Sequence, residues 1–469
     1  MSSRTDVHDR MPIAAAIARS ITSTADSTLD SRVLEYARLL TLSCLGAVAG
    51  GSRLAAGIVL TNYVRDQGGK PEASVAGSGF RTTAEMAALA NGTFAHATEY
   101  EDDSFPEAVS TFTIIPPLLA LGEARGIGLD RLLRSVVVGQ EIQSRIGRAY
   151  VSALERGIQL LPALGTLGTA GAAAYMIGLK EDQIAMALCI AASQAAGLRL
   201  QSSSMSHFLE SGVAGRAGIM SAVLAERGLD AERWVFEGRP KGGPPGYLEF
   251  ISGLPVQDKV RELWTAPWHT MDVGIKEYPM CTLLTPVVEA AAAIREARDF
   301  DVADIESVEV IGNSRLADHC NYPSPTNATE AAFSATHVAA QALVHGPDIS
   351  LSSFEEPFVS DQKVVGLRAR TRLVVRTEWP TAFFSTPLGV AVTRKSGARE
   401  ERFIEGSNGM PPRYLSTSAV VRKFRAAAAG VLPEEALSRI ETLVLSSKAL
   451  ADVGEIARLM SGGAERRQP

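Results

Sequence analysis

Apolar residues recur at the spacing of an α-helix from about residue 27 to residue 270, with Ala and Leu dominant and Gly near the ends of many segments. This period predicts a series of packed helices. The predicted helices lie at 27–50, 82–98, 114–125, 129–148, 166–178, 180–197 and 212–227. The Ala- and Gly-rich segment 165–179 would let helix backbones approach closely, so its first expected role is packing.

The pattern changes after the Gly- and Pro-rich segment 237–250, which is typical of a loop. Beyond it, alternating apolar and polar residues predict strands at 306–312, 371–378 and 388–393. Helical spacing lies between the strands, at 282–297 and 329–345, and returns at 416–427 and 433–447. We therefore expect a mostly α protein, with a large discontinuous helical domain at 1–272 plus 400–469 and an inserted smaller α+β domain at 273–399.

Composition narrows the function classes. The chain has 469 residues and a formal net charge of -6, so it has no excess of basic residues with which to bind nucleic acid or an anionic membrane. Its cysteines, Cys44, Cys189, Cys281 and Cys320, lack C-x-x-C spacing, which favours a reducing cytoplasm over a disulfide framework or a zinc knuckle. The N-terminal segment does not resemble a secretion signal, and we expect no membrane-spanning run.

The first candidate for chemistry is the segment NGTFAHATEYEDDS at 91–104, in which four acidic residues follow a predicted helix that carries His96. These acidic residues are Glu99, Glu101, Asp102 and Asp103. Carboxylates so close together raise one another's pKa when they are sheltered from water, which suits a general base. The alternatives are a solvated acidic loop and a histidine that only packs in the core.

Two further segments combine polar groups. In SSSMSHFLESGVAGRAG, at 202–218, we expect a helix to begin near Ser211 or Gly212, where free N–H groups would bind a carboxylate. Simple N-capping by Ser is the alternative. In IKEYPMCTLLTP, at 275–286, a cation, a phenol and a thiol lie close together, although Pro279 and Thr282 could simply end a strand and begin a helix.

These segments resemble the MmgE/PrpD family, which includes 2-methylcitrate dehydratases, cis-aconitate decarboxylases and iminodisuccinate epimerases. The matching segments occur in the family's order: Asn91, Gly92, Ala95 and His96 before the acidic run, GTAGAAAYMIGL at 168–179, SQAAGL at 193–198, AGRAG at 214–218, FEGR at 236–239, KEYPMC at 276–281, TEAAFS at 329–334 and YLSTSAVVRKF at 414–424. The resemblance implies a mostly helical fold with an α+β insertion and a homodimer.

Only some of the polar residues that are usual in the family occur in this chain. Members usually have His-Pro downstream of the acidic run, where this chain has Ser110 and Thr111. Gln159 stands near a family histidine, His207 aligns with the lysine of the family's M-x-K-x-x-H-A-G, and Glu210 aligns with the histidine of that motif. The changes remove several cationic groups, so the resemblance implies a divergent member whose substrate is less anionic than a tricarboxylate.

The resemblance also implies a lyase, of the dehydratase or decarboxylase type, that transfers a proton next to a carboxyl or carbonyl group of a small organic acid. The catalytic candidates are His207, Lys276, Glu99 and Asp103. The candidates for substrate binding are His96, Gln159, Glu210, Ser206, Tyr278, Cys281 and Tyr322.

Two other functions remain open. An epimerase or isomerase would use the same proton abstraction and return the proton, whereas a scaffold or binding protein would keep the fold without turnover. No residue pattern calls for a metal or an organic cofactor, because the histidines form no sequence-local zinc signature and no Gly-rich phosphate loop follows a strand.

Overall fold

The computed structural model describes residues 11–25, 29–381, 386–447 and 450–462. The described chain is mostly helical, with a smaller α+β part, as the sequence predicted. The α-helices are α1 Ile13–Thr24, α2 Ser31–Gly51, α3 Ala55–Gln67, α4 Ala84–Ala97, α5 Ile115–Arg125, α6 Leu129–Ala149, α7 Leu160–Met176, α8 Glu181–Ala192, α9 Met205–Glu226, α10 Tyr247–Ser252, α11 Thr285–Arg295, α12 Ser314–Cys320, α13 Ala328–Ala332, α14 Ala335–His345, α15 Gln362–Arg368, α16 Thr417–Ala428, α17 Glu434–Glu441 and α18 Gly454–Ser461.

The strands are β1 Ala73–Ser74, β2 Arg81–Thr82, β3 Asp102–Asp103, β4 Gly274–Ile275, β5 Ile305–Gly312, β6 Thr371–Val375, β7 Leu388–Arg394 and β8 Arg399–Ile404. The chain forms two compact units, Met1–Val273 with Val420–Pro469, and Gly274–Ala419. These are called unit 1 and unit 2 below.

Unit 1 is a helical assembly built around α7 and α9. Every residue of α7 is buried, in keeping with the packing role that its Ala and Gly content predicted. A Cβ atom on Gly218 of α9 would come within 2.5 Å of the Thr169 side chain of α7, so the two helices approach at a distance that only Gly permits there.

The approach of α4 to α9 is closer still. A Cβ on Gly212 would lie 2.1 Å from the carbonyl oxygen of Leu89, and a Cβ on Gly92 would lie 2.8 Å from the Cα of Gly212. Real side chains do not tolerate such distances, so glycine on both helices is what allows the two backbones to touch. One turn from this contact the helices carry His96 and His207, and the packing therefore positions both imidazoles.

Unit 2 contains a four-stranded sheet in the order β6-β5-β7-β8, in which β5 is parallel to β6 and antiparallel to β7, and β7 is antiparallel to β8. Val308 and Val310 of β5 join a buried apolar core that also includes residues of α11 and α14. The edge strand β8 has the sequence REERFI and is mostly exposed. Glu309 of β5 forms ion pairs with Arg372 of β6 and Arg399 of β8.

The predicted strands at 306–312, 371–378 and 388–393 correspond to β5, β6 and β7, whereas β8 was not predicted. Unit 2 extends to Ala419 and contains β8, which pairs with β7, whereas the predicted boundary assigned residues 400–419 to the helical domain. The helix predicted over 329–345 is interrupted at Phe333–Ser334, since the Ser334 hydroxyl accepts a hydrogen bond from the backbone N–H of His337 and begins α14 there.

The predicted start of α9 near Ser211 or Gly212 was wrong. The helix begins at Met205, so Ser211 and Gly212 lie in its interior, where backbone N–H groups already have helical partners. The carboxylate-binding site expected at that position is therefore not formed there. The part of the polar segment from Met205 onward is instead the beginning of α9, and it carries His207.

Two of the described helices, α2 and α9, are long and apolar enough to cross a membrane by length and composition alone. Most of each is buried inside the fold, as in the core helices of many globular proteins. Passing that test is therefore weak evidence for a membrane span.

Candidate active site

His96 and His207 lie side by side in unit 1. Their ring centroids are 4.4 Å apart with the planes at 61°, and both side chains are buried. Phe208 packs edge-on against His96 at a centroid distance of 5.9 Å. Two imidazoles buried side by side are unusual for packing alone, because each ring nitrogen that leaves water needs a polar partner.

Glu99 is the third residue of this group. It follows the end of α4 with a backbone φ of 50°, a left-handed conformation that is uncommon for a residue with a side chain. One carboxylate oxygen of Glu99 and one ring nitrogen of each histidine lie within 4.8 Å of one another. The sequence placed Glu99 and His96 in one cluster, but it gave no reason to bring His207 beside them.

Glu210 holds His207 from the same helix. Its Oε2 atom lies 3.2 Å from Nδ1 of His207, and its Oε1 atom accepts a hydrogen bond from the backbone N–H of Leu198 at 3.3 Å. Burial disfavours the charged imidazolium, but the hydrogen bond to Glu210 and the charges of Glu99, Glu210 and Glu101 outweigh it and raise the pKa of His207. The arrangement therefore favours a protonated His207 beside carboxylates.

Asp102 is the residue of the acidic run whose role the sequence missed. It is fully buried and accepts hydrogen bonds from the Ser110 hydroxyl at 2.7 Å, the Thr111 N–H at 2.7 Å and the Thr111 hydroxyl. Burial raises its pKa to about 6, against the lowering effect of these hydrogen bonds and with a further increase from Asp103. The signal was present, since Ser110 and Thr111 occupy the segment where the family has His-Pro.

Lys423 of α16 is a second residue that the site prediction omitted. Its Nζ donates to the Tyr100 carbonyl at 2.7 Å and lies 4.1 Å from the centroid of the Tyr100 ring. A buried ammonium group in this position supports the backbone between Glu99 and Glu101. The signal was the match of YLSTSAVVRKF to the family's pattern, which ends at this lysine and Phe424.

The other candidates in unit 1 differ in position. Asp103 is half-buried in β3, next to Asp102. Gln159 is half-buried just before α7, and its backbone N–H donates to the Gly197 carbonyl at 3.1 Å. Ser206 is exposed in the first turn of α9. His96, Glu99, His207 and Glu210 are thus the candidates that form one contiguous group.

The candidates in unit 2 lie around Lys276. This lysine is buried, and it lies close enough to the Cys320 thiol to act on its pKa. Burial is the first cause that raises the Cys320 pKa, followed by a hydrogen bond with Cys281, while Lys276 lowers it. Tyr278 packs against the core of unit 2, and the Tyr322 carbonyl accepts a hydrogen bond from the Ser334 hydroxyl at 2.5 Å.

Two protein-family models match most of the chain. The model of the MmgE/PrpD N-terminal domain matches residues 15–251, and that of the MmgE/PrpD C-terminal domain matches residues 278–449. The chain belongs to the MmgE/PrpD family. The resemblance inferred from the sequence motifs is confirmed.

Among its relatives is the cis-aconitate decarboxylase-like protein oryM of Aspergillus oryzae, which is 27% identical over 96% of this chain and 97% of that protein. Mouse cis-aconitate decarboxylase is 28% identical over 82% of this chain and 80% of that protein. Human cis-aconitate decarboxylase is 25% identical over 92% of this chain and 91% of that protein. At these identities the chain is a divergent member, and its family and relatives identify it as an enzyme of the lyase type.

Proposed function

We propose that this chain is a cofactor-independent lyase, of the decarboxylase or dehydratase type, that transfers a proton next to a carboxyl group of a small organic acid. The observation that carries the proposal is the buried group of His96, Glu99 and His207, with Glu210 bound to His207. It combines a proton donor and proton acceptors in one place, which is what this chemistry needs.

His207 is the proposed general acid. Its raised pKa favours the imidazolium, which attracts a substrate carboxylate and has a proton to give. In a decarboxylation, the bond between the substrate carbon and the carboxylate breaks, and its electron pair passes into the adjacent unsaturated system. Carbon dioxide leaves as this bond breaks, the imidazolium protonates the carbon of that system to which the electron pair has passed, and water then returns a proton to His207 and leaves hydroxide.

Glu99 and His96 are the proposed acceptors. In a dehydration, one of them would remove the proton next to the carboxyl group while His207 protonates the departing hydroxyl. The names of the relatives support decarboxylation as the first reaction to test.

The charges around His207 limit the substrate. Glu99, Glu101 and Glu210 all raise its pKa, so they lie near enough to repel additional carboxylates. We therefore propose a substrate with fewer carboxylates than cis-aconitate, with an unsaturated or β-hydroxy acid as the reacting part.

The test is to incubate the purified chain with cis-aconitate and with a panel of unsaturated and hydroxylated mono- and dicarboxylates in deuterated water. Carbon dioxide release or a new alkene, with deuterium at the product carbon in a decarboxylation, supports the lyase. Deuterium in recovered substrate without either product supports the epimerase, and the complete absence of turnover across the panel supports the scaffold.

The matched variants are His207→Gln and His345→Gln. His345 also pairs with a carboxylate, that of Asp361 at 3.1 Å, but it lies in unit 2. We expect His207→Gln to lower kcat by about 10²–10⁴-fold with an unchanged melting temperature, and His345→Gln to retain turnover. Normal turnover by folded His207→Gln would contradict the proposed role.

A further inference from the structure

We propose that His96, Glu99 and His207 form a binding site for one Zn²⁺ ion, and that this ion inhibits the enzyme. The inhibitory part rests on the proposed function, because the ion would occupy the atoms that otherwise carry protons. The metal-binding part does not depend on that function.

The donor set suits Zn²⁺. Each of the three residues offers one ligand atom, these atoms all lie within 4.8 Å of one another, and all three side chains are buried. Two imidazole nitrogens and one carboxylate oxygen are a common three-ligand set for zinc, with a fourth position left for water or a substrate group. Magnesium, which prefers oxygen ligands, is a poor match for the same site.

Glu210 supplies a second feature of metal sites. Its carboxylate lies 3.2 Å from Nδ1 of His207, which leaves Nε2 as the ring atom to bind the ion. A carboxylate that binds the outer nitrogen of a histidine ligand fixes the orientation of the ring and increases its basicity. His207 and Glu210 are on adjacent turns of α9, so the helix itself fixes their relation.

The charge and the rigidity of this group also suit a zinc ion. Glu99 and the nearby carboxylates of Glu101 and Glu210 can balance a dication in a buried position, where an uncompensated charge would be unfavourable. The contact between Gly92 and Gly212 fixes the distance between the helices that carry the two histidines. The packing of the two helices therefore holds the histidines that they carry at a fixed spacing.

The binding test uses tag-free protein that has been treated with a chelator and then titrated with Zn²⁺ by calorimetry, with metal analysis after dialysis. We expect one equivalent per chain, and Co²⁺ in its place should give the visible absorption of a site with nitrogen ligands. His207→Gln and Glu99→Gln should each weaken binding by at least about tenfold, and His345→Gln should not.

A variant could also lose binding because it misfolds, so His207→Gln and Glu99→Gln are compared. Glu99→Gln keeps the shape of the side chain while it removes the charge. Melting curves show whether each variant is folded. Stoichiometric Zn²⁺ binding that survives both substitutions in folded protein would overturn the site, as would the absence of binding to the unmodified chain.

The inhibition test adds Zn²⁺ to the enzyme during turnover of the substrate found above. We expect loss of activity at one equivalent, recovery on addition of a chelator, and little effect of Mg²⁺. Binding without inhibition, or activation by Zn²⁺, would overturn the inhibitory role. Zinc binding by a chain that turns over nothing would leave the metal site intact and reject the proposed function, so the two failures are distinguishable.

Discussion

The Oε2 atom of Glu210 lies 3.2 Å from Nδ1 of His207, one turn away on the same helix. This contact is one of the causes that raise the pKa of His207 against the opposing effect of burial. Glu210 is thus a positioning residue that acts through His207, and its removal should change the pKa of His207 in a defined direction.

Glu210→Gln should lower the pKa of His207, because the neutral amide no longer stabilises the imidazolium. With His207 as the acid, activity falls as pH rises through this pKa, so the alkaline limb of the pH–rate profile should move to lower pH. Glu226→Gln, at the far end of α9, is the control. An unshifted limb in Glu210→Gln would show that the contact does not tune His207.

Asp102→Asn should change how stability depends on pH. Burial raises the pKa of Asp102 from 3.8 to about 6, so its contribution to stability is fully present below pH 3.8 and is lost as pH rises through about 6. Asparagine cannot ionise, so the variant should avoid this pH-dependent loss of unfolding free energy, which is about 2–3 kcal/mol above pH 7. Any hydrogen bonds that asparagine weakens would offset part of this gain.

Chemical denaturation of Asp102→Asn and the unmodified chain at pH 5 and pH 8 tests this expectation. The difference in unfolding free energy between the two proteins should move in favour of the variant at the higher pH. A difference that is constant with pH would mean that Asp102 does not titrate in this range.

Gly212→Ala should destabilise unit 1, because the new methyl group would lie 2.1 Å from the Leu89 carbonyl oxygen and would force α4 and α9 apart. We expect a loss of about 1–3 kcal/mol or more. Gly366→Ala is the matched control, since that helical position has open space around the added atom and alanine favours helix. Equal melting temperatures for the two variants would argue against a tight contact at Gly212.

Lys276→Met tests the prediction that a buried lysine of unit 2 is needed for catalysis. Because an ammonium group can stabilise a carboxylate or an enolate-like intermediate, its loss should lower kcat by about 100-fold or more. Lys363→Met, at an exposed position, is the control. Activity within a few-fold of the unmodified chain would remove Lys276 from the catalytic candidates.

Much of the helical content was predictable because apolar periodicity is a local property. The start of α9 was not, since Ser206, His207 and Ser211 interrupt the apolar periodicity in the first turns of the helix. Likewise, Glu400 and Glu401 obscure the alternation of β8, whose place in the sheet depends on pairing with β7.

The candidate site was predictable in its parts. Family motifs identified His96, Glu99, His207 and Glu210 one by one, but their meeting depends on the contact between Gly92 and Gly212, which joins residues far apart in the chain. The burial of Asp102 was hidden for the opposite reason. A run of acidic residues normally indicates a solvated loop, and only the tertiary structure shows that Ser110 and Thr111 enclose one of them.

The charged edge strand β8 has a consequence for handling the protein at high concentration. An exposed sheet edge can recruit a strand from another molecule, and such pairing is a common route to aggregation. Here Arg399, Glu400, Glu401 and Arg402 succeed one another along that edge. An incoming strand would have to desolvate these charges, so this edge is protected against open-ended fibre growth.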